Sequence, residues 1–220
     1  MSEAVHAYAS KKEAELGGGI RLSTFADEAY YLNGRLAMMS ENLLLGGILV
    51  AVVLGLFLNL KVACWVIIGI PISFAGAFWL MPSFDVTINV MSLFAFIMVL
   101  GIVVDDAIVI GESVYREVTS DYENKLAAGV EDADTYSASI ATVVAGTKRV
   151  AIPSTIGVLT TMAAFLPVVF AGGSFDGITR ALGIVVILCL AFSLIESKLI
   201  LPAHLVGLKI GEKSTGISGH

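Results

Sequence analysis

Five apolar runs, each about the length of a membrane-crossing helix, constrain this chain more than any other feature. They cover residues 43–60, 62–81, 88–110, 150–170 and 181–201. About 20 predominantly apolar residues at 1.5 Å rise span the hydrocarbon core of a bilayer. Nothing inside a bilayer can hydrogen-bond an open backbone, so such runs must be helices. The composition agrees, with 57% hydrophobic and only 15% charged residues, where soluble domains carry about a quarter charged. The expected fold is an all-α membrane protein, a polytopic five-span helix bundle. Cys64 and Cys189 fall inside apolar runs and read as small hydrophobes rather than a disulfide or metal pair. No basic patch with interleaved aromatics is present, which argues against a nucleic-acid partner. No phosphate-binding G-x-x-x-x-G-K-[ST] loop occurs either.

The breaks between runs are short. Asn59–Lys61 makes a tight turn, Pro82–Asp85 turns the chain at the other surface, and residues 171–177 make a third turn. Pro202 is expected to close the fifth span, and Pro71 and Pro167 to kink theirs. Frequent glycines in the runs let helix backbones approach, which implies a bundle. Between the third and fourth runs lies a polar loop, 111–149. Lys61, Arg116, Lys125, Lys148 and Arg149 share its side of the membrane, against Arg180 alone in the opposite turns. By the positive-inside rule that loop and the tail 209–220 are cytoplasmic, and residues 1–42 lie outside. The outer tail carries Lys11, Lys12, Arg21 and Arg35, which would resist translocation without a preceding span. The chain is therefore expected to be a piece of a larger protein. Within that tail, residues 19–27 alternate as a strand and a helix begins at Asp27. Together they form a short extramembrane α/β remnant ahead of the bundle at 43–208.

Within the third run stands the pair Asp105–Asp106, in the stretch GIVVDDAIVIGE, with no charged residue upstream as far as Asp85. Two aspartates at a helix centre cost about 5–7 kcal/mol to insert, and the aliphatic and Phe residues of the span return at most about 4–8 kcal/mol. The span roughly breaks even, so the pair calls for a function or for partners. Gly101, Asp105, Ile108 and Glu112 follow helical spacing on one stripe. A carboxyl in apolar surroundings or beside a second carboxylate holds its proton more tightly, and an approaching cation reverses this. Protonation of such a pair should follow conformation, as a proton-coupled machine requires. Proton relay through Asp105 and Asp106 is the leading reading. The others are a structural ion pair with a cationic helix outside this chain and a metal site, which the lack of nearby His or Cys disfavours. Glu112, Gly101 and Asn89 are accessory candidates, Asn89 as a cap or interhelical bond. Glu196 and Lys198 read as a local pair or as snorkelling side chains, His204 as interfacial, and Thr160 and Thr161 as bonded to helix carbonyls.

Three segments carry a family resemblance: residues 88–117 with the aspartates, 146–173 (GTKRVAIPSTIGVLTTMAAFLPVVFAGG) and 181–205 (ALGIVVILCLAFSLIESKLILPAHL). They resemble the fourth, fifth and sixth transmembrane helices of resistance–nodulation–division (RND) efflux pumps, in the hydrophobe/amphiphile, acriflavin-resistance-like branch. Runs 43–60 and 62–81 would be the second and third helices, and residues 19–43 the end of the porter region. The resemblance covers about residues 19–208. It implies proton/drug antiport driven by the proton-motive force, with no cofactor, in the bacterial inner membrane. It implies Asp105 and Asp106 as relay residues that meet a lysine from the parent's second half. It also implies a homotrimer working with a periplasmic adaptor and an outer-membrane channel. The competing readings are a truncated, non-transporting interaction module and an RND relative exporting metal or lipid.

Overall fold

The computed structural model describes residues 2–17, 21–23, 28–57, 60–129, 136–172 and 176–209. In chain order the helices are α1 (Ser2–Leu16), α2 (Glu28–Phe57), α3 (Leu60–Leu80), α4 (Val90–Ala127), α5 (Ile140–Val169), α6 (Asp176–Ile195) and α7 (Leu201–Leu205). A 3-10 turn, Met81–Phe84, follows α3, and a π turn, Glu196–Ile200, joins α6 to α7. Among the described residues no strand occurs, so the chain is an all-α membrane protein. Among the described residues four segments are long and apolar enough to cross a membrane: Lys61–Phe84, Val90–Ala127, Ile140–Val169 and Thr179–Leu205. Most of the first expected span, 43–60, falls in α2, while residues 58 and 59 lie outside the described residues.

Helix α4 is the axis of the bundle, packing against α2, α3, α5 and α6. Its outer end is fixed by Asn89, whose side chain accepts from the amides of Met91 and Ser92, both at 2.9 Å, while Ser92 Oγ accepts from the Asn89 amide at 2.8 Å. This reciprocal box satisfies amides that helix geometry leaves open. The preceding turn needs Asp85 at φ 58°, in the left-handed region. Phe96 is fully buried between Phe74 and Phe78 of α3, at centroid distances of 5.1 and 4.2 Å. Small residues set the closest approaches. A Cβ at Gly146 would stand 2.7 Å from Val114 Cα, and Ser113 Oγ donates to Gly146 O at 2.8 Å. Of the four spans, α5 is the least buried in this chain.

Several expectations are corrected. The polar segment 111–149 is not a loop: α4 continues to Ala127 and α5 starts at Ile140. At 38 residues α4 is about 57 Å long, against a hydrocarbon core of about 30 Å. The extension is amphipathic. It buries Val114 and Val118, packs Tyr122 on Tyr136, and pairs Glu112 with Arg116 and Asp121 with Lys125 on its wet face. Pro202 does not close the last span either, because the π turn absorbs its missing N–H. The Leu201 amide reaches back five residues to Glu196 O, and the helix resumes to Leu205. Pro71 and Pro167 lie inside α3 and α5.

Of the expected strand at 19–27, only residues 21–23 are described, and they belong to no regular element. A lone strand has no neighbour to take its backbone hydrogen bonds. The helix expected from Asp27, which itself lies outside the described residues, is present as α2 from Glu28, and α1 at Ser2–Leu16 is a helix not anticipated from the sequence.

Candidate functional site

The two aspartates part company in the fold. Successive helix positions point about 100° apart. Asp105 faces the open side of α4 and is exposed, whereas Asp106 turns into the bundle and is 7% exposed. Three side chains from two other elements meet Asp106. The Ser154 hydroxyl of α5 donates to Oδ1. The Ser197 hydroxyl of the π turn donates to Oδ2 at 2.5 Å. The Lys198 ammonium lies 3.8 Å from Oδ1 and donates to Ser154 Oγ at 3.1 Å. A hydrogen bond to a charged group contributes about 1.5–3 kcal/mol. Two of them offset the roughly 2.5–3.5 kcal/mol that an aspartate costs at a helix centre. The sequence-level difficulty of the pair is thus met for Asp106 inside this chain.

Lys198 corrects its own expectation. It neither snorkels nor pairs with Glu196; only 17% of its side chain is exposed and it turns inward toward Asp106. The π turn is the reason. Its extra residue changes the register just where Ser197 and Lys198 leave α6, and both reach the carboxylate. A cation beside Asp106 therefore comes from this chain. Neither Ser154 nor Ser197 carries a sequence signal strong enough to single it out. Ser154 lies in an apolar run and Ser197 stands between Glu196 and Lys198, and only the helix packing pairs them with Asp106.

The other predicted residues scatter around this centre. Ile102, Asp105, Asp106, Val109, Ser154 and Thr161 are among the residues lining a cavity of about 200 Å³ between α4 and α5. Val109 also walls a second, more polar cavity of about 410 Å³, where Glu112, Arg116 and Arg149 gather. Glu112 pairs with Arg116, and Glu117 of α4 pairs with Arg149 of α5 at 3.1 Å. Gly101 is exposed, with open space where a Cβ would be. Asn89 is the α4 cap, at the far end from Glu112. Thr160 and Thr161 bond the carbonyls of Ile156 and Gly157 at 2.7 and 3.1 Å. His204 bonds Ile200 O at 2.8 Å, its ring 3.9 Å from that of Trp65.

This arrangement can hold a charge in the membrane and can exchange it. A buried carboxylate is balanced by an ammonium and two hydroxyls, and a second carboxyl beside it opens to a cavity.

Residues 1–215 match the family model described as the AcrB/AcrD/AcrF family. The toluene efflux pump membrane transporter TtgE of Pseudomonas putida is 26% identical over 203 residues, 91% of this chain and 18% of that protein. The cobalt-zinc-cadmium resistance protein CzcA of Cupriavidus metallidurans is 29% identical over 97% of this chain and 19% of its own length. The multidrug export protein AcrF of Escherichia coli is 29% identical over 70% of this chain and 14% of its own length. The chain spans less than a fifth of each of these relatives.

Proposed function

The chain belongs to the AcrB/AcrD/AcrF family of RND efflux transporters, and on that premise we propose that it forms part of the transmembrane proton pathway of a proton/drug antiporter. The observation carrying this reading is the Asp106 carboxylate, buried in the bundle and held by Ser154, Ser197 and Lys198. Asp105 and Asp106 carry the transported proton. With Asp106 ionised, Lys198 and the two serines hold α4, α5 and the π turn together. When Asp106 takes up a proton, its attraction for the ammonium is lost, Lys198 is released, and the three elements are freed to shift. Asp105, on the cavity side, is the group that exchanges protons with water. Glu112, across the Val109 wall, is the next acceptor along α4.

The parent pump exports hydrophobic or amphiphilic compounds from the bacterial inner membrane, as a homotrimer with a periplasmic adaptor and an outer-membrane channel. The 128–139 connection and the tail after Leu208 are cytoplasmic, and residues 1–42 are periplasmic. Asp106→Asn in the intact parent is the test. It should abolish proton-coupled efflux of an amphiphilic dye while leaving expression and assembly unchanged; full efflux by the variant overturns the reading. The similarity to CzcA supports cation export as a second reading. Protection of cells against cobalt, zinc or cadmium, with no protection against amphiphiles, would favour it.

A further inference from the structure

Glu196 is the other deeply buried acid among the described residues, 2% exposed on the first residue of the π turn. Its carboxyl lies against the Cα face of Gly69 on α3, where a Cβ would overlap it. Among the described residues it has neither a hydrogen bond nor an ion pair. An ionised carboxylate so placed would be strongly penalised, and a neutral acid much less so. Three residues earlier, on the same helix face, Ser193 buries its hydroxyl with no partner, 1% exposed. A buried acid and a buried hydroxyl without partners among the described residues, on one helix face, suit the holding of a proton better than packing alone.

Chain continuity ties this site to the Asp106 centre, because the next residue, Ser197, donates to Asp106. The charged groups of that centre are Asp106 from α4 and Lys198 from the π turn; α5 contributes the neutral Ser154, and α3 places the neutral Gly69 against Glu196. Asp105 of α4 faces the cavity, and His204 of α7 stacks away on Trp65. One buried cation can balance one buried anion, and Lys198 is turned to Asp106, so a second ionised acid beside that centre would stand unbalanced. We propose that Glu196 is a second proton-holding group of this bundle, neutral while Asp106 is ionised against Lys198, and ionised once Asp106 is protonated. The exchange conserves charge: the Asp106 carboxylate gains a proton, Glu196 loses one to water, and only O–H bonds change. The proposal deepens the proton-pathway reading and rests on it for its physiological use. It gives the pathway a reservoir between α3 and α6, on the side of Asp106 away from the Asp105 cavity.

Infrared difference spectroscopy tests it on the full chain in lipid nanodiscs, with isotopically labelled glutamate carboxyls to separate Glu from Asp. At neutral pH a label-sensitive band of a protonated carboxyl is expected, lost in Glu196→Gln. It is also expected to be lost in Asp106→Asn, which leaves Lys198 for Glu196 to balance, and retained in Lys198→Met. Each substitution is close to isosteric, and unchanged circular dichroism checks the fold. A wild-type chain without the band, or a band indifferent to Asp106→Asn, overturns the proposal. The band is read without transport, so its failure is separate from that of the antiport reading. A parent pump that moves no protons, with the band behaving as expected, refutes the antiport reading alone.

Discussion

Gly146 should be a point at which the bundle cannot accept a single added carbon. A Cβ there would stand 2.7 Å from Val114 Cα and 3.0 Å from Ser113 O, both backbone atoms of α4. Ordinary contact begins near 3.4 Å, so α5 would have to move away from α4 by about 0.7 Å at this crossing. Overpacking of this kind costs about 1–3 kcal/mol. Alanine returns up to about 1 kcal/mol in helix propensity, so Gly146→Ala is expected to lose as much as about 2 kcal/mol net. The control is Gly157→Ala on the same helix, where a Cβ meets nothing within 4 Å and the propensity gain stands alone. The two variants should therefore differ by about 1–3 kcal/mol, with opposite signs relative to wild type. Mixed-micelle unfolding followed by the fluorescence of Trp65 and Trp79 measures this directly. The strain should also reach the site. Ser154 lies eight residues along α5, about 12 Å away, and its grip on Asp106 depends on the same helix spacing. If Gly146→Ala unfolds at or above the wild-type midpoint, the close approach of α4 and α5 is not what the geometry says it is.

Further outcomes follow from the same structure. Ser197→Ala removes a donor from a buried carboxylate and should destabilise the chain by about 1–3 kcal/mol in the same unfolding assay, with Ser197→Thr restoring most of the loss. Carbodiimide labelling read by peptide mass spectrometry should modify Asp105 well ahead of Asp106, since only Asp105 is exposed; equal labelling contradicts the outward and inward split. Tyr136→Phe deletes the hydroxyl that donates to Asp121 at 2.8 Å and should cost about 1–2 kcal/mol, seen as earlier proteolysis of the 128–139 connection. Asn89→Ala should lower stability by about 1 kcal/mol through the lost α4 cap, with Asn89→Asp retaining most of it.

The spans were legible because hydropathy and length are local properties of the chain, and the third to fifth expected spans coincide to within two residues at their ends with stretches of α4, α5 and the α6–α7 segment. The aspartate pair was legible because its insertion cost can be read without coordinates. The 17 residues by which α4 outruns its expected end were harder to see. Val114, Val118 and Tyr122 repeat at helical spacing, but that amphipathic signal is lost beside polar residues when only membrane hydropathy is followed. The partners of Asp106 were not legible. Ser154 and Ser197 come from different helices, and which serine meets the carboxylate depends on crossing geometry. The inward turn of Lys198 was not legible either, because one extra residue in the π turn changes where its side chain points.

That π turn has an evolutionary consequence. It accommodates one residue more than an α-helix covering the same path, so it behaves as a spare link in the chain. Removing a single residue between 196 and 200 would draw α6 into α-helical register up to Pro202, without the turn that now accommodates the proline. The packing above and below could survive, because Ala138 and Leu208 stay clamped by their own backbone bond at 2.9 Å. What would vanish is the polar turn itself, and with it the ammonium and hydroxyl that reach Asp106. A one-codon change could thus separate a bundle that folds from one that holds its charge.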